Sequence, residues 1–177
     1  MIKNNPHRRN PSFRLEDEFE QRVIDISRVT RVVAGGKRMR FRACVAIGNL
    51  KGKIGIGTKK GADVSTAVNK AVTAARKNLI KINLINDTIP HQFRVKFKAA
   101  SILIKPAPKG TGIKAGGPLR SVLEISGLKN IVAKMLGSEN KINNVMAIYI
   151  ALRSLKKPRT FTNNQPVNMA ERKEEKK

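Results

Sequence analysis

The chain has 177 residues, enough for one ordinary domain or two small ones; it is 40% hydrophobic and lacks tryptophan, so any core rests on Val, Ile, Leu and Ala. Its 37 Lys+Arg against 12 Asp+Glu give a net charge of +25, a self-repulsion that implies a polyanionic partner, most commonly nucleic acid. One cysteine excludes an intrachain disulfide and a Cys-rich zinc site, no apolar run reaches the length of a membrane span, and the N-terminus lacks the apolar stretch of a secretory signal, so a reducing cytoplasmic setting is expected.

Residues 1–20 balance four basic residues against four acids. Residues 1–14 are polar with two prolines, 158–177 have the same character, and both are expected to stay unordered without a partner. Residues 21–157 carry 28 Lys+Arg against five acids, a net of +23, so the charge sits on the part that reads as folded. The β-branched run from Val23 to Val33 predicts a strand, closed by a turn at Gly35-Gly36. Next, Met39, Phe41, Ala43, Val45 and Ile47 alternate with Arg40, Arg42, Cys44 and Ala46, the pattern of a half-buried strand with arginines on its open face. A short third strand is expected over 53–56. A helix follows, with Val64, Ala67, Val68, Ala71, Val72, Ala75 and Leu79 on one face, Lys70, Arg76 and Lys77 away from it, and Asp63 at the N-cap position.

After a linker near 81–88, Phe93, Val95 and Phe97 alternate with Arg94, Lys96 and Lys98, predicting a second basic-faced strand. Ser101–Ile104 is its expected hairpin partner, stopped by Lys105-Pro106. A glycine-rich loop from Lys109 to Gly117 leads into a helix with Pro118 in its first turn, a buried face of Leu119, Val122 and Leu123, and Gly127 as C-cap. Asn130–Met135 is a candidate strand and Ile142–Leu152 a helix capped by Asn140. The expected fold class is α+β in two units: a flexible N-terminal extension (1–20), a β-β-β-α RNA-binding domain (21–81), an α+β domain (88–157) and a flexible C-terminal tail (158–177).

Two glycine patterns resemble phosphate-binding loops: Gly55-Ile-Gly57-Thr-Lys-Lys-Gly61, and Gly110-Thr-Gly112-Ile-Lys-Ala-Gly116-Gly117. Neither fits the dinucleotide fingerprint or the GxxxxGK[ST] nucleotide loop, and the acids are scattered singly. The two histidines, His7 and His91, offer little for nucleophilic or metal chemistry, and Cys44 reads as a packing residue. No catalytic residue, metal, cofactor or small-molecule substrate is therefore expected. As RNA grips, the loops make better sense, with Lys59, Lys60, Lys105, Lys109 and Lys114 beside backbone that can approach phosphates. For the first loop, glycines that only make tight turns are an equal alternative. The densest cluster is Lys37, Arg38, Arg40 and Arg42; Arg31, Gly35 and Gly36 complete the candidate RNA-binding set on and around the first hairpin. Scarce aromatics argue for backbone and shape contact with structured RNA over base stacking.

At GTGIKAGGPLRSVLEISGLKNIVAKMLGS, residues 110–138, the chain resembles the bacterial small-subunit ribosomal protein S5 family. The likeness runs upstream through VTRVVAGGKRMRFRACVAIGNLKGKIGIGTKKGADVSTAVNKAVTAARKN, residues 29–78, and downstream through Ile142–Leu152, covering nearly all of 20–157. It implies an N-terminal unit similar to a double-stranded-RNA-binding domain and a C-terminal α+β sandwich also found in small-molecule kinases. It further implies binding to small-subunit ribosomal RNA at the subunit's shoulder beside proteins S4 and S8, with a part in decoding accuracy and the path by which messenger RNA enters.

Carried to this sequence, Val33–Lys37 corresponds to a loop reaching toward the decoding region, with Ala34 where lysine is common and Arg38 and Arg40 placed to make up the charge. Gly112–Arg120 corresponds to the surface facing S4, making Gly112 and Arg120 candidate protein-interface residues; Pro118 replaces a frequent alanine. Asn130–Ser138 matches the segment before the last helix. Against this stand two other classes of function: a small-molecule kinase using Gly110–Gly117, which ATP turnover would reveal, and a free duplex-RNA binder, which would not travel with ribosomal subunits.

Overall fold

The structure, a computed structural model, describes residues 19–155 apart from Asn83; the expectations for residues 1–14 and 158–177 fall outside these. Among the described residues, two four-stranded sheets and three helices form an α+β fold. In the first sheet, β1 (Glu20–Val33), β2 (Gly36–Gly48), β3 (Lys53–Gly61) and β4 (Leu79–Lys81) lie in chain order, each antiparallel to the next. Helix α1 (Val64–Lys77) joins β3 to β4. The second sheet has the order β5-β6-β8-β7, from β5 (Phe93–Phe97), β6 (Ala100–Pro106), β7 (Ile113–Lys114) and β8 (Ile131–Met135). Helix α2 (Gly117–Ile125) connects the parallel pair β7 and β8, and α3 (Lys141–Arg153) follows.

The layers run α1, first sheet, α2 with α3, second sheet. On one face of the first sheet, Ala43, Val45 and Ile47 meet Ala67, Ala71 and Ala75 of α1 in a small core. On its other face Cys44, Ala46, Ile54 and Ile56 join one continuous core with α2, α3 and the inner face of the second sheet. The alternation in β2 therefore does not mark a half-buried strand along its whole length: from Ala43 onward both faces are covered, because the C-terminal unit sits on the side expected to be open. A bulge in β1 between Val23 and Asp25 adds Ile24, which packs against the same core.

Three further expectations need correction. Strand β3 does not stop near Ile56 but continues to Gly61, so Gly55–Gly61 is a strand and not a loop. A Cβ on Gly55, Gly57 or Gly61 would stand 2.3 Å from Ala75 O, 2.0 Å from Ala71 O and 2.6 Å from Ala67 N, respectively. These glycines make neither a tight turn nor an anion cradle; they let the alanine face of α1 approach the sheet at backbone contact. Leu79 leaves the helical stripe to begin β4, a strand too short to signal itself. The presumed linker is tied in: Ile82 and Ile89 are buried, and Ile82 N–H donates to Gly52 O at 2.7 Å.

The helix caps and the end of β6 follow their sequence signals only in part. Asp63 takes the N-cap place with extended backbone but makes no side-chain cap bond, whereas Asn140 Oδ1 accepts from Ile142 N at 3.1 Å and Asn143 N at 3.4 Å. Strand β6 runs through Lys105 to Pro106 instead of stopping before them; β5 begins opposite Ile104, so Pro106 has a strand on one side only, where it pairs with Ile131 of β8.

The two units are stitched together by backbone. Leu50 N–H donates to Ile125 O at 3.1 Å and Gly52 N–H to Ser126 O at 3.0 Å, so the β2–β3 turn satisfies carbonyls left open at the end of α2. Gly48 and Gly127 permit this, since a Cβ on either would overlap Ile125 or Leu50. Tyr149 Oη donates to Asn78 O at 2.9 Å, tying α3 to the end of α1.

Candidate nucleic-acid interface

Strand alternation and register sort the basic residues of the first sheet onto two faces. Arg31 pairs with Arg38, Val29 with Arg40, and Ser27 with Arg42, which in turn pairs with Lys60. Arg31, Arg38, Arg40, Arg42 and Lys60 thus share one face, the continuation of the Cys44–Ala46 face beyond the cover of α2 and α3. Val29, Arg31, Val33, Arg38, Arg40 and Lys60 line a depression there. Arg42 is held by its Nε donating to Ser27 Oγ at 3.1 Å. The nearest acid on that face, Asp25, is paired with Lys141 at 3.1 Å. Among the five cations no acid intervenes, so the face is a platform of positive charge on three paired strands.

The structure separates residues that the sequence places together. Lys37 points to the α1 side of the hairpin, opposite Arg38 and Arg40, by strand parity. Lys59 and Lys60 part in the same way: Lys59 joins Thr66, Asn69, Lys70, Thr73 and Lys77 along α1, and Lys60 joins the arginines. Gly35 and Gly36 form the exposed hairpin tip, and Gly36 has a φ of 136°.

The second glycine segment is a loop, interrupted by the short strand β7, but the amides of its first two glycines are engaged. Gly110 N–H and Gly112 N–H both donate to Asn130 Oδ1, at 3.0 and 3.2 Å. The expected cradle of free N–H groups for phosphate is thus occupied by a side chain of the same chain. Lys109 remains exposed at the loop, while Lys105 and Lys114 flank Val132 on neighbouring strands and face the same side of the sheet.

Arg120 donates through Nε to Glu124 Oε1 at 2.8 Å, and Arg22 of β1 bonds the other oxygen of Glu124. The Arg120 hydrogen bond, against the smaller opposing effect of burial and with help from Arg22, holds the Glu124 carboxyl below its ordinary range. Gly112 and Arg120 therefore each have intrachain partners, and Arg120 sits beside the seam between the two units. Cys44 is buried, and burial pushes its thiol up and keeps it a packing residue. His91 is exposed and tilts against Phe93, with ring centroids 5.6 Å apart.

Sequence reasoning left Arg94, Lys96 and Lys134 out of the candidate site. The alternation in β5 already signals the first two, but Lys134 gains its meaning only from the pairing of β8 with β6, which spans some thirty residues and leaves no local trace. Among the described residues, no helix is long and apolar enough to cross a membrane, and no group of three or more His, Cys, Asp or Glu could hold a metal ion.

Comparison with known proteins gives two consecutive matches. Residues 19–83 match the family model described as Ribosomal protein S5, N-terminal domain, and residues 95–165 match Ribosomal protein S5, C-terminal domain. The chain is also 46% identical over 159 residues to the small ribosomal subunit protein uS5c of Guillardia theta, covering 89% of this chain and 92% of that relative.

Proposed function

We propose, from the premise that this chain belongs to the ribosomal protein S5 family, that the cationic face of its first hairpin is a principal contact with RNA. The chain is a structural constituent of the small ribosomal subunit, binds small-subunit ribosomal RNA and is not an enzyme. The observation that carries the placement is the convergence of Arg31, Arg38, Arg40, Arg42 and Lys60 on one strand face with no acid among them. Phosphate contact there needs no rearrangement, because the strands already hold the charges in register. Gly35, Gly36 and Lys37 extend this contact at the hairpin tip; Lys59 contributes from the α1 side, and Lys105, Lys109 and Lys114 from the second sheet.

In this reading residues 21–81 are the RNA-binding domain and 88–157 the second domain, with extensions at 1–20 and 158–177; the break between the two matched ranges supports that division. The segment around Gly112 and Arg120 faces protein S4, S8 is a further neighbour, and the hairpin tip bears on decoding accuracy near the messenger's path into the subunit. These placements rest on the family resemblance. A nucleotide-binding role for Gly110–Gly117 is disfavoured by the capture of the Gly110 and Gly112 amides on Asn130.

The test is the salt dependence of binding to small-subunit ribosomal RNA. Arg38→Ala with Arg40→Ala should weaken binding and flatten the log–log salt slope by between about one and two units, about 0.7–0.9 for each phosphate left without its cation. An unchanged slope in a folded double variant would remove these arginines from the interface.

A further inference from the structure

Helix α1 covers β2 and β3 on its side of the first sheet but leaves the edge strand β1 largely bare. The glycines of β3 meet the helix backbone, and Lys59 of β3 stands on the flank of α1 that carries Lys70 and Ala74. The other flank, Val64, Val68 and Val72 at one-turn spacing, therefore faces β1. Register puts Val23 and Ile26 of β1 on that same side, beside Val45 and Ala43 of β2, with Phe41 further along. Val23 is 44% exposed, Ile26 45% and Val64 38%, while Phe41, Val68 and Val72 are half-buried. These six side chains line an apolar furrow between the helix and the edge strand. Single exposed hydrophobics are ordinary, but a continuous strip of them calls for a cover.

The chain enters at one end of this furrow. β1 begins at Glu20, opposite Gly48, and α1 ends at the same level, since a Cβ on Gly55 would meet Ala75 O and Gly55 pairs with Ile47. The last turn of α1 brings Arg76 and Lys77 to that end. Just ahead of it in the sequence, residues 13–18 read Phe-Arg-Leu-Glu-Asp-Glu, two large apolar side chains next to three consecutive acids in a chain that has only 12. Val23 lies four positions along β1 from Phe19, about 13 Å. Phe13 precedes Phe19 by six residues and can span about 20 Å, enough to turn back and reach Val23 and Val72. So short a tether presents the segment to the furrow at high effective concentration. We propose that residues 13–18 dock in this furrow, Phe13 and Leu15 covering Val23, Ile26, Val68 and Val72, with Glu16, Asp17 and Glu18 beside Arg76 and Lys77. The segment also shields an edge strand that would otherwise be open to a second copy of the chain. The proposal is independent of the RNA-binding reading, because Arg38 and Arg40 lie on the opposite face of the sheet.

Two measurements on the full chain, free of RNA, test it. In dilute protein equilibrated with a thiol–disulfide buffer, Leu15→Cys combined with Val72→Cys should close an intrachain disulfide. Leu15→Cys combined with Lys70→Cys, on the opposite flank of α1, should stay reduced, and the buried Cys44 takes no part in exchange. Equal closure of the two pairs, or closure of neither, overturns the docking. Disulfides that join two chains assign the furrow to a second copy and overturn it as well. In the second measurement, Phe13→Ser with Leu15→Ser should lower the thermal unfolding midpoint by about 5 °C, whereas Arg14→Ser leaves it in place. Both substituted segments lie ahead of the folded strands, so neither variant disturbs the cores directly. A double variant that unfolds at the unaltered midpoint defeats the proposal.

Discussion

Two glycine-rich segments that look alike in the sequence do opposite things in the structure. In 55–61 the glycines lie in a strand, and the space that a side chain would take is filled by the backbone of α1. In 110–117 the loop is open at its start: nothing lies within 4 Å of a Cβ built on Gly110 or Gly112, whose φ is 91° and 72°, whereas a Cβ on Gly116 would meet the end of the Met135 side chain. Residues 55, 57 and 61 need glycine for want of room, Gly110 and Gly112 for want of a permitted backbone angle. In the loop, Asn130 takes the amides of Gly110 and Gly112, the two that its glycines would otherwise hold out to an anion there. A glycine pattern between strand and helix therefore carries no chemistry until the packing around it is known.

Substitutions sharpen the contrast. Gly57→Ala should be the most damaging, since its Cβ would meet backbone at Ala71 O and Ala75 N, neither able to yield without moving α1. A loss of about 3 kcal/mol is expected by denaturant titration; a loss under about 1 kcal/mol would mean that the helix rides higher on the sheet. Asn130→Ala leaves Gly110 and Gly112 N–H without their acceptor and should cost about 2 kcal/mol. The same change tests the loop as an anion site: if freeing the amides strengthened phosphate binding markedly, Asn130 would be a competitor for an anion and not a structural clasp. Gly112→Ala meets open space and only a strained φ, so about 1 kcal/mol is expected. A cost equal to that of Gly57→Ala would erase the distinction between the two segments.

Much of the fold is legible in the sequence, and the reasons differ from element to element. Helix α3 announces itself through Asn140 and an apolar run, and β5 through strict alternation of phenylalanine and valine with basic residues. What escapes is set by distant partners. Nothing near Cys44 or Ala46 says that a second unit will cover them, so β2 reads as half-exposed. The division of Lys59 from Lys60, and of Lys37 from Arg38, follows from parity once β3 is known to run to Gly61. The arginine cluster at 38–42 is legible because alternate residues of one strand share a face without help from elsewhere. Arg94, Lys96, Lys105, Lys114 and Lys134 come from four strands of the second sheet, and only the assembled register sets them on one face.

The covering of the first sheet on both sides has a consequence for the chain as it is made. Synthesis delivers β1, β2, β3 and α1 first, which can seal the Ala43–Val45–Ile47 side at once. The reverse side, with Cys44, Ala46, Ile54 and Ile56, stays bare until residues 117–153 have been added. For that interval the nascent polypeptide displays an oily patch next to a row of arginines, and is open to chaperone capture or to premature self-association.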